Sequence, residues 1–312
     1  MKVAVVQEPN VLLDRSATLD RVVATIAEAA ASGATLVVFP EAYLGGYPAW
    51  TWRLLADDDA ALLAALYARF IEEAVDPGAG DLDPVLHAAA EHGVVVVIGL
   101  NEIDRAGGSG TVYNSVATIG SDGSLMNLHR KLMPTGVERT IWGAGDARGL
   151  RVVETPAGRI GTLICWEAYM PLSRFALYAE GVDILVVPTW DREASWLASM
   201  RHIAKEGACW VISTATSLRF DDIPTSVPGV ERWARREGWI CEGQAMVVRP
   251  FGRVIAGPLP TVERILYAEV DKSAARKARR MLDVAGHYSR PDIFSLRVDR
   301  AARQQVRFGE IG

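Results

Sequence analysis

A layered α/β domain is the fold class this sequence predicts, on three observations. Short apolar runs alternate along the chain with segments of helical spacing, the order expected when helices cover a sheet. Val94 to Ile98 is an uninterrupted β-branched run, as a central strand covered on both faces requires. Turn signals such as Asp122-Gly123 and Phe251-Gly252 fall between the runs. No internal repeat and no low-complexity linker interrupts the pattern. The 312 residues are read as one domain, 1–312, with a short C-terminal tail from about 297.

The elements follow in order. Val3 to Gln7 is a buried strand, too short and too quickly polar for a signal peptide. Arg21 to Ala31 has helical spacing, with Ser16 or Thr18 as cap and Gly33 as terminator. Leu36 to Phe39 is the second strand; Asp57 to Glu73 and Pro84 to His92 are helices. Thr111 to Ile119 and Ser124 to Leu128 form a hairpin, and Arg151 to Glu154 with Ile160 to Ile164 form another across Pro156-Ala157-Gly158. Pro171 suits the first turn of a helix to Ala179. Strand Ile184 to Val187, helix Glu193 to Glu206 and strand Trp210 to Thr214 come next. Phe220 to Glu237, rich in proline and charge, reads as a surface excursion. Ala245 to Arg249 pairs with Val254 to Ile255, Ile265 to Val270 is a last strand, and Asp271 caps a basic helix through Arg280.

Bulk properties exclude several classes. Half of the residues are apolar and 23% charged, the profile of a globular protein with a large core. A net charge of −5 without a basic stripe argues against nucleic acid. No stretch approaches the roughly 20 apolar residues of a membrane span. Three scattered cysteines, Cys165, Cys209 and Cys241, do not make a disulfide framework, and a reducing cytoplasm is the expected setting. The five histidines show no zinc spacing, so neither a metal nor a cofactor is expected.

Three strand ends carry the chemistry. Leu36-Val37-Val38-Phe39-Pro40 delivers Glu41; the half-apolar run to His129-Arg130 delivers Lys131 before Leu132-Met133-Pro134; Ile160 to Ile164 delivers Cys165. In open α/β sheets, sites collect beyond the carboxyl ends of strands. Each residue alone suits packing or a surface turn, since free cysteine is among the most buried residue types. Together they form a set for attack on carbon: Cys165 as nucleophile, Glu41 to move protons, Lys131 to hold negative charge. The sulfur is expected to feel the amide end of the helix at Pro171, a field that favours thiolate. The Trp166 amide is a second candidate donor to a developing anion.

The motifs resemble the nitrilase superfamily of carbon–nitrogen hydrolases, in Phe39-Pro40-Glu41, in His129-Arg130-Lys131-Leu132-Met133-Pro134-Thr135 and in Cys165-Trp166-Glu167. The last, followed by Met170-Pro171-Leu172, is similar to the true nitrilase branch; amidase-type relatives usually carry a tyrosine and an aspartate after the cysteine. Further agreement lies in Trp142-Gly143-Ala144-Gly145-Asp146, Ser199 to Ala204, Cys209 to Ser213 and Gly286 to Asp292, so the resemblance runs from Val3 to about Phe294. Ala168 departs from it, standing where many nitrilases have histidine or asparagine.

The resemblance implies a four-layer α-β-β-α sandwich and hydrolysis of an organic nitrile to acid and ammonia through a cysteine thioimidate and thioester. The alternative is a same-fold amidase or a cyanide-hydrolysing relative. It makes Glu138 a fourth active-site residue that orients Lys131; a loop charge paired to Arg139 is the bland alternative. It also implies a homodimer or higher homo-oligomer, spirals included, with contacts from Pro171 to Ala179 and Phe220 to Glu237. Glu167 is assigned to structure, accepting hydrogen bonds at the coming helix terminus. Of the aromatic residues that follow strand ends, Tyr47, Trp166 and Trp190 are expected to line an apolar pocket suited to an uncharged organic nitrile.

Overall fold

The computed structural model describes residues 1–105, 110–234 and 238–301. Two six-stranded sheets organise it. The first holds β1 (Lys2–Val6), β2 (Ala34–Val38), β3 (Val95–Ile103), β4 (Val112–Ile119), β5 (Leu125–Arg130) and β14 (Ile265–Glu269), in the order β14-β1-β2-β3-β4-β5. The second holds β6 (Val153–Thr155), β7 (Gly158–Thr162), β8 (Ile184–Pro188), β9 (Trp210–Thr214), β12 (Met246–Arg249) and β13 (Arg253–Ala256), in the order β13-β12-β9-β8-β7-β6. A separate ribbon pairs β10 (Ser217–Arg219) with β11 (Trp239–Glu242).

Strand periodicity builds the layers. Successive side chains of a strand point to opposite faces. Val3, Val5, Leu36, Val38, Ile184 and Val186 accordingly share one core between the sheets. Their neighbours Ala4, Val6, Val37 and Phe39 face α1 (Arg15–Ala31) and α3 (Asp83–His92), meeting Val22, Ile26, Val85 and Ala89. Leu185 and Val187 face α4 (Pro171–Ala179) and α5 (Ala194–Glu206), meeting Leu177, Met200 and Ile203. The result is the expected α-β-β-α sandwich. Each fully buried Val, Leu or Ile contributes about 1.5–3 kcal/mol, so a one-residue slip of any central strand would exchange two cores at once.

The two sheets also follow the same path. In each, three parallel strands (β1-β2-β3 and β7-β8-β9) are joined by helical crossovers and extended by antiparallel strands, β4-β5 and β12-β13. This repetition is topological, and its trace in residue identity is slight: a proline at or just past the end of the central strand in each sheet, Pro40 and Pro188.

Several boundaries differ from the sequence reading. Helix α1 starts at Arg15, six residues early, capped by Asp14, whose Oδ1 accepts from the Ala17 amide at 2.9 Å. Thr18 instead donates to the carbonyls of Val11 and Asp14. Helix α2 (Ala60–Glu72) starts later than predicted, and β3 runs on to Ile103. The final helix, α7 (Lys272–Arg279), is capped by Asp271 as expected.

The segment after Phe220 is more than a surface excursion. A short helix, α6 (Val230–Trp233), places Trp233 against Trp50, ring centroids 5.9 Å apart, and Ile223 and Val227 are buried beside them. Arg232 pairs with the buried Asp59 at 2.8 Å, tying the segment to the start of α2. Residues 235–237 of the predicted excursion, and 302–312 of the tail, lie outside the described residues.

Candidate active site

The predicted strand ends meet at one place. Glu41 lies three residues past β2, Lys131 immediately past β5, and Cys165 three residues past β7. Lys131 is held because its amide continues the β4–β5 ladder, donating to Asn114 O at 2.8 Å. Glu41 is held by a close crossing. A Cβ on Gly99 of β3 would stand 2.3 Å from Pro40 O and 2.5 Å from Ala42 N, so only glycine lets that backbone pass. Cys165 opens a 3-10 turn (Cys165–Tyr169) with φ +54°, a left-handed backbone that non-glycine residues rarely adopt.

Lys131 is the hub. Its Nζ donates to Glu41 Oε1 at 2.9 Å and to Glu138 Oε2 at 2.8 Å, with all three side chains buried. Glu138 Oε2 also accepts from the Thr135 amide at 2.7 Å, and its Oε1 accepts from Tyr47 Oη at 2.7 Å. Arg139 donates elsewhere, to Pro134 O. Asn114 Nδ2 donates to Glu41 Oε1 at 2.7 Å, while Glu41 Oε2 is buried without a partner among the described residues. Thr189, one residue past β8, donates from Oγ1 to Cys165 Sγ at 3.1 Å.

The charges are interdependent. Burial lifts Glu41 above its ordinary carboxylate range; the Lys131 ammonium opposes this and Glu138 adds to it. Burial pulls the Lys131 ammonium down, but Glu41, Cys165 and Glu138 push it up further, so it remains charged. Burial pushes the Cys165 thiol up to about 12, Glu41 adds to the rise, and Lys131 and Thr189 oppose it. This corrects the expectation of a preformed thiolate. A 3-10 turn separates the sulfur from α4, and desolvation beside two carboxylates outweighs the cation. Cys165 and Glu41 thus both hold a proton more tightly than they would in water.

Glu167 bolts the lysine segment to the cysteine segment. Its carboxylate accepts from the Ile164 amide at 2.7 Å, from the Leu132 amide at 2.9 Å and from His129 Nε2 at 3.0 Å. Glu167 thus accepts at a helix terminus as expected, but that of the 3-10 turn at Cys165 rather than of α4, and it also reaches the lysine segment.

A cavity of about 360 Å³ opens onto Cys165 and Glu138, and Tyr47, Trp166 and Trp190 all line it. Tyr47 and Trp190 stack face to face, centroids 4.2 Å apart and planes within 6°. Trp166 is half exposed at the rim, donating from Nε1 to Asp191 at 2.7 Å. Arg53, Asp191, Arg192 and Glu193 share the lining, so the pocket carries charged groups beside its aromatic rings. An apolar pocket was expected; the charges enter at Arg53 and at Asp191-Arg192-Glu193, directly after Trp190.

Two residues escaped the sequence reading, Asn114 and Thr189. The signals existed: an amide inside the apolar run Val112–Ile119, and Val186-Val187-Pro188-Thr189 repeating the pattern of Val38-Phe39-Pro40-Glu41.

The fold and this convergence define an enzyme class, and the chain belongs to it: the carbon–nitrogen hydrolase family matches residues 2–280. It is similar to an aliphatic nitrilase of Sinorhizobium fredii (strain HH103), 40% identical over 98% of this chain and 97% of that one. It is also similar to the bifunctional nitrilase/nitrile hydratase NIT4A of Lupinus angustifolius, 38% identical over 99% of this chain and 88% of the relative. Among solved structures, a carbon–nitrogen hydrolase from Helicobacter pylori G27 shares the fold, with TM-score 0.68 and 23% identity over 90% of this chain and 92% of that one.

Proposed function

We propose that this protein is a nitrilase that converts an organic nitrile to a carboxylic acid and ammonia, with Cys165 as nucleophile, Glu41 as general base, Lys131 as the cation for developing charge and Glu138 as its holder. The observation that supports this most is the buried cluster in which one ammonium meets two carboxylates, one of which, Glu138, lines the same cavity as Cys165. The two relatives named for nitrile conversion support nitrile over amide as substrate.

The steps balance. Glu41 takes the Cys165 proton as sulfur adds to the nitrile carbon, and returns it to nitrogen, giving a thioimidate. The unpartnered Glu41 Oε2 suits that proton. Lys131, with the Trp166 amide, meets the charge on nitrogen and later on oxygen. Water adds with Glu41 as base, ammonia leaves, and a thioester remains. A second water releases the acid and restores the thiol. If the tetrahedral adduct of the first water expels sulfur instead, the product is an amide, the nitrile hydratase activity in the name of the lupin relative.

Ammonia and acid release measured on a nitrile panel with matched amides tests the reading. Turnover of nitriles, lost by on the order of 10⁴-fold in Cys165→Ala, is expected. Turnover of the amides alone would make the protein an amidase, and of cyanide alone a cyanide hydrolase.

Assembly is part of the same proposal. Leu172 on α4 and Tyr288, Ile293 and Phe294 are largely exposed around a groove of about 1110 Å³. Such an apolar surface suits a second copy of the chain in a homodimer or larger assembly. Among the described residues of 220–234 no large apolar side chain is exposed, so that segment is a poor second contact. No helix among the described residues is long and apolar enough to cross a membrane. The three free thiols support a cytoplasmic setting for one catalytic unit spanning the chain.

A further inference from the structure

Two adjacent parallel strands, β7 and β8, end side by side, and the residues just beyond them are tied twice. Asp191 accepts from Trp166 Nε1 at 2.7 Å, and Thr189 Oγ1 lies 3.1 Å from Cys165 Sγ. Thr189 is 2% exposed, and its own amide is fixed by donation to Thr214 O at 2.9 Å on β9. A hydroxyl has one proton and two lone pairs. One lone pair is taken: the Asp191 amide donates to Thr189 Oγ1 at 2.9 Å. That contact fixes the oxygen and leaves its proton free to point at sulfur.

We infer that the Thr189 hydroxyl is a catalytic residue of this site, the donor that receives negative charge on Cys165 sulfur as its proton departs. The inference rests on the reading of Cys165 as nucleophile. Lys131 serves the other end of the reaction, because its ammonium is already bound by Glu41 and Glu138. Thr189 acts earlier, on the sulfur itself. It would also receive the thiolate when the thioimidate adduct or the thioester breaks, since the same S–C bond forms and cleaves. A hydroxyl that donates to sulfur favours the charged form over the neutral one. Burial and two carboxylates oppose that form; the Lys131 ammonium favours it through its charge, and Thr189 through the hydrogen bond to the sulfur.

Alkylation of Cys165 by iodoacetamide, followed by mass spectrometry between pH 7 and 10, tests this without any nitrile. Thr189→Val keeps the shape and removes the donor; Thr189→Ser keeps the donor and removes the methyl. Loss of one charge-assisted hydrogen bond corresponds to about ten-fold or more in thiolate fraction, partly offset by the greater nucleophilicity of a more basic sulfur, so T189V should be alkylated at least about three-fold more slowly across this range, with T189S recovering most of the loss. Equal rates in T189V and the unsubstituted protein would overturn the assignment. So would equal slowing in T189S and T189V, which would mean that the side chain matters for packing alone. Failure of the unsubstituted protein to label at Cys165 would remove the nucleophile itself. Absence of nitrile turnover with the labelling pattern intact would sink only the substrate assignment.

Discussion

Cys165 stands in a left-handed backbone, desolvated, with its proton held more tightly than in an ordinary thiol. A group whose folded pKa is raised stabilises the fold below its unfolded value and loses that contribution as pH rises through the folded one. For this thiol the window runs from 9.0 to about 12. Cys165→Ala removes the liability, so its melting temperature relative to the unsubstituted protein should rise between pH 8 and 10.5. A constant difference would contradict the tight proton. Glu41→Gln keeps an acceptor for Lys131 but no base, and should cost about 10²–10⁴-fold in turnover with the fold intact by circular dichroism. Lys131→Met leaves two buried carboxylates uncompensated, so a loss of about 3–5 kcal/mol in denaturant unfolding should accompany its loss of activity.

Among the elements, the strands carry the site and their ends aim it. Gly99 of β3 shows how narrow the tolerance is, because a methyl there meets Pro40 and Ala42 on either side of Glu41. Gly99→Ala should destabilise by about 1–3 kcal/mol and depress turnover more than that loss explains, measured by denaturant unfolding beside steady-state rates. The sequence made the strands legible because continuous apolar runs have one plausible use in a chain of this length. It made Glu41, Lys131 and Cys165 legible because a charged or nucleophilic residue ends each run. Asn114 and Thr189 stayed hidden because their signals, a polar residue inside one apolar run and another just past a second, fit packing as well as chemistry. The start of α1 was missed since Arg15-Ser16-Ala17-Thr18 shows no apolar stripe, and β10 and β11, of three and four residues, are too short to show a period.

For the whole molecule, what composition and pattern could not supply is strand order. Residues 41, 131 and 165 meet only because β2, β5 and β7 sit as they do in two stacked sheets, and that order is set by packing across the whole sandwich. The repeated path of the sheets stayed hidden for the same reason, since the shared topology leaves only a short echo in residue identity, at Pro40 and Pro188. The exposed apolar groove along α4 and the segment 284–298 belongs to this scale as well. Leu172→Asp and Phe294→Asp should each shift sedimentation toward monomer, whereas an unchanged species distribution in both would place the assembly contact elsewhere.

The most direct measurement is rapid quenching of the enzyme during turnover of a nitrile, with intact-mass analysis and peptide mapping of any adduct. Bound mass equal to the substrate's imidoyl or acyl group, located at residue 165 and absent from Cys165→Ala, is the predicted result. Nitrile consumption with a bare sulfur at that position, or full turnover by the alanine variant, would contradict the account.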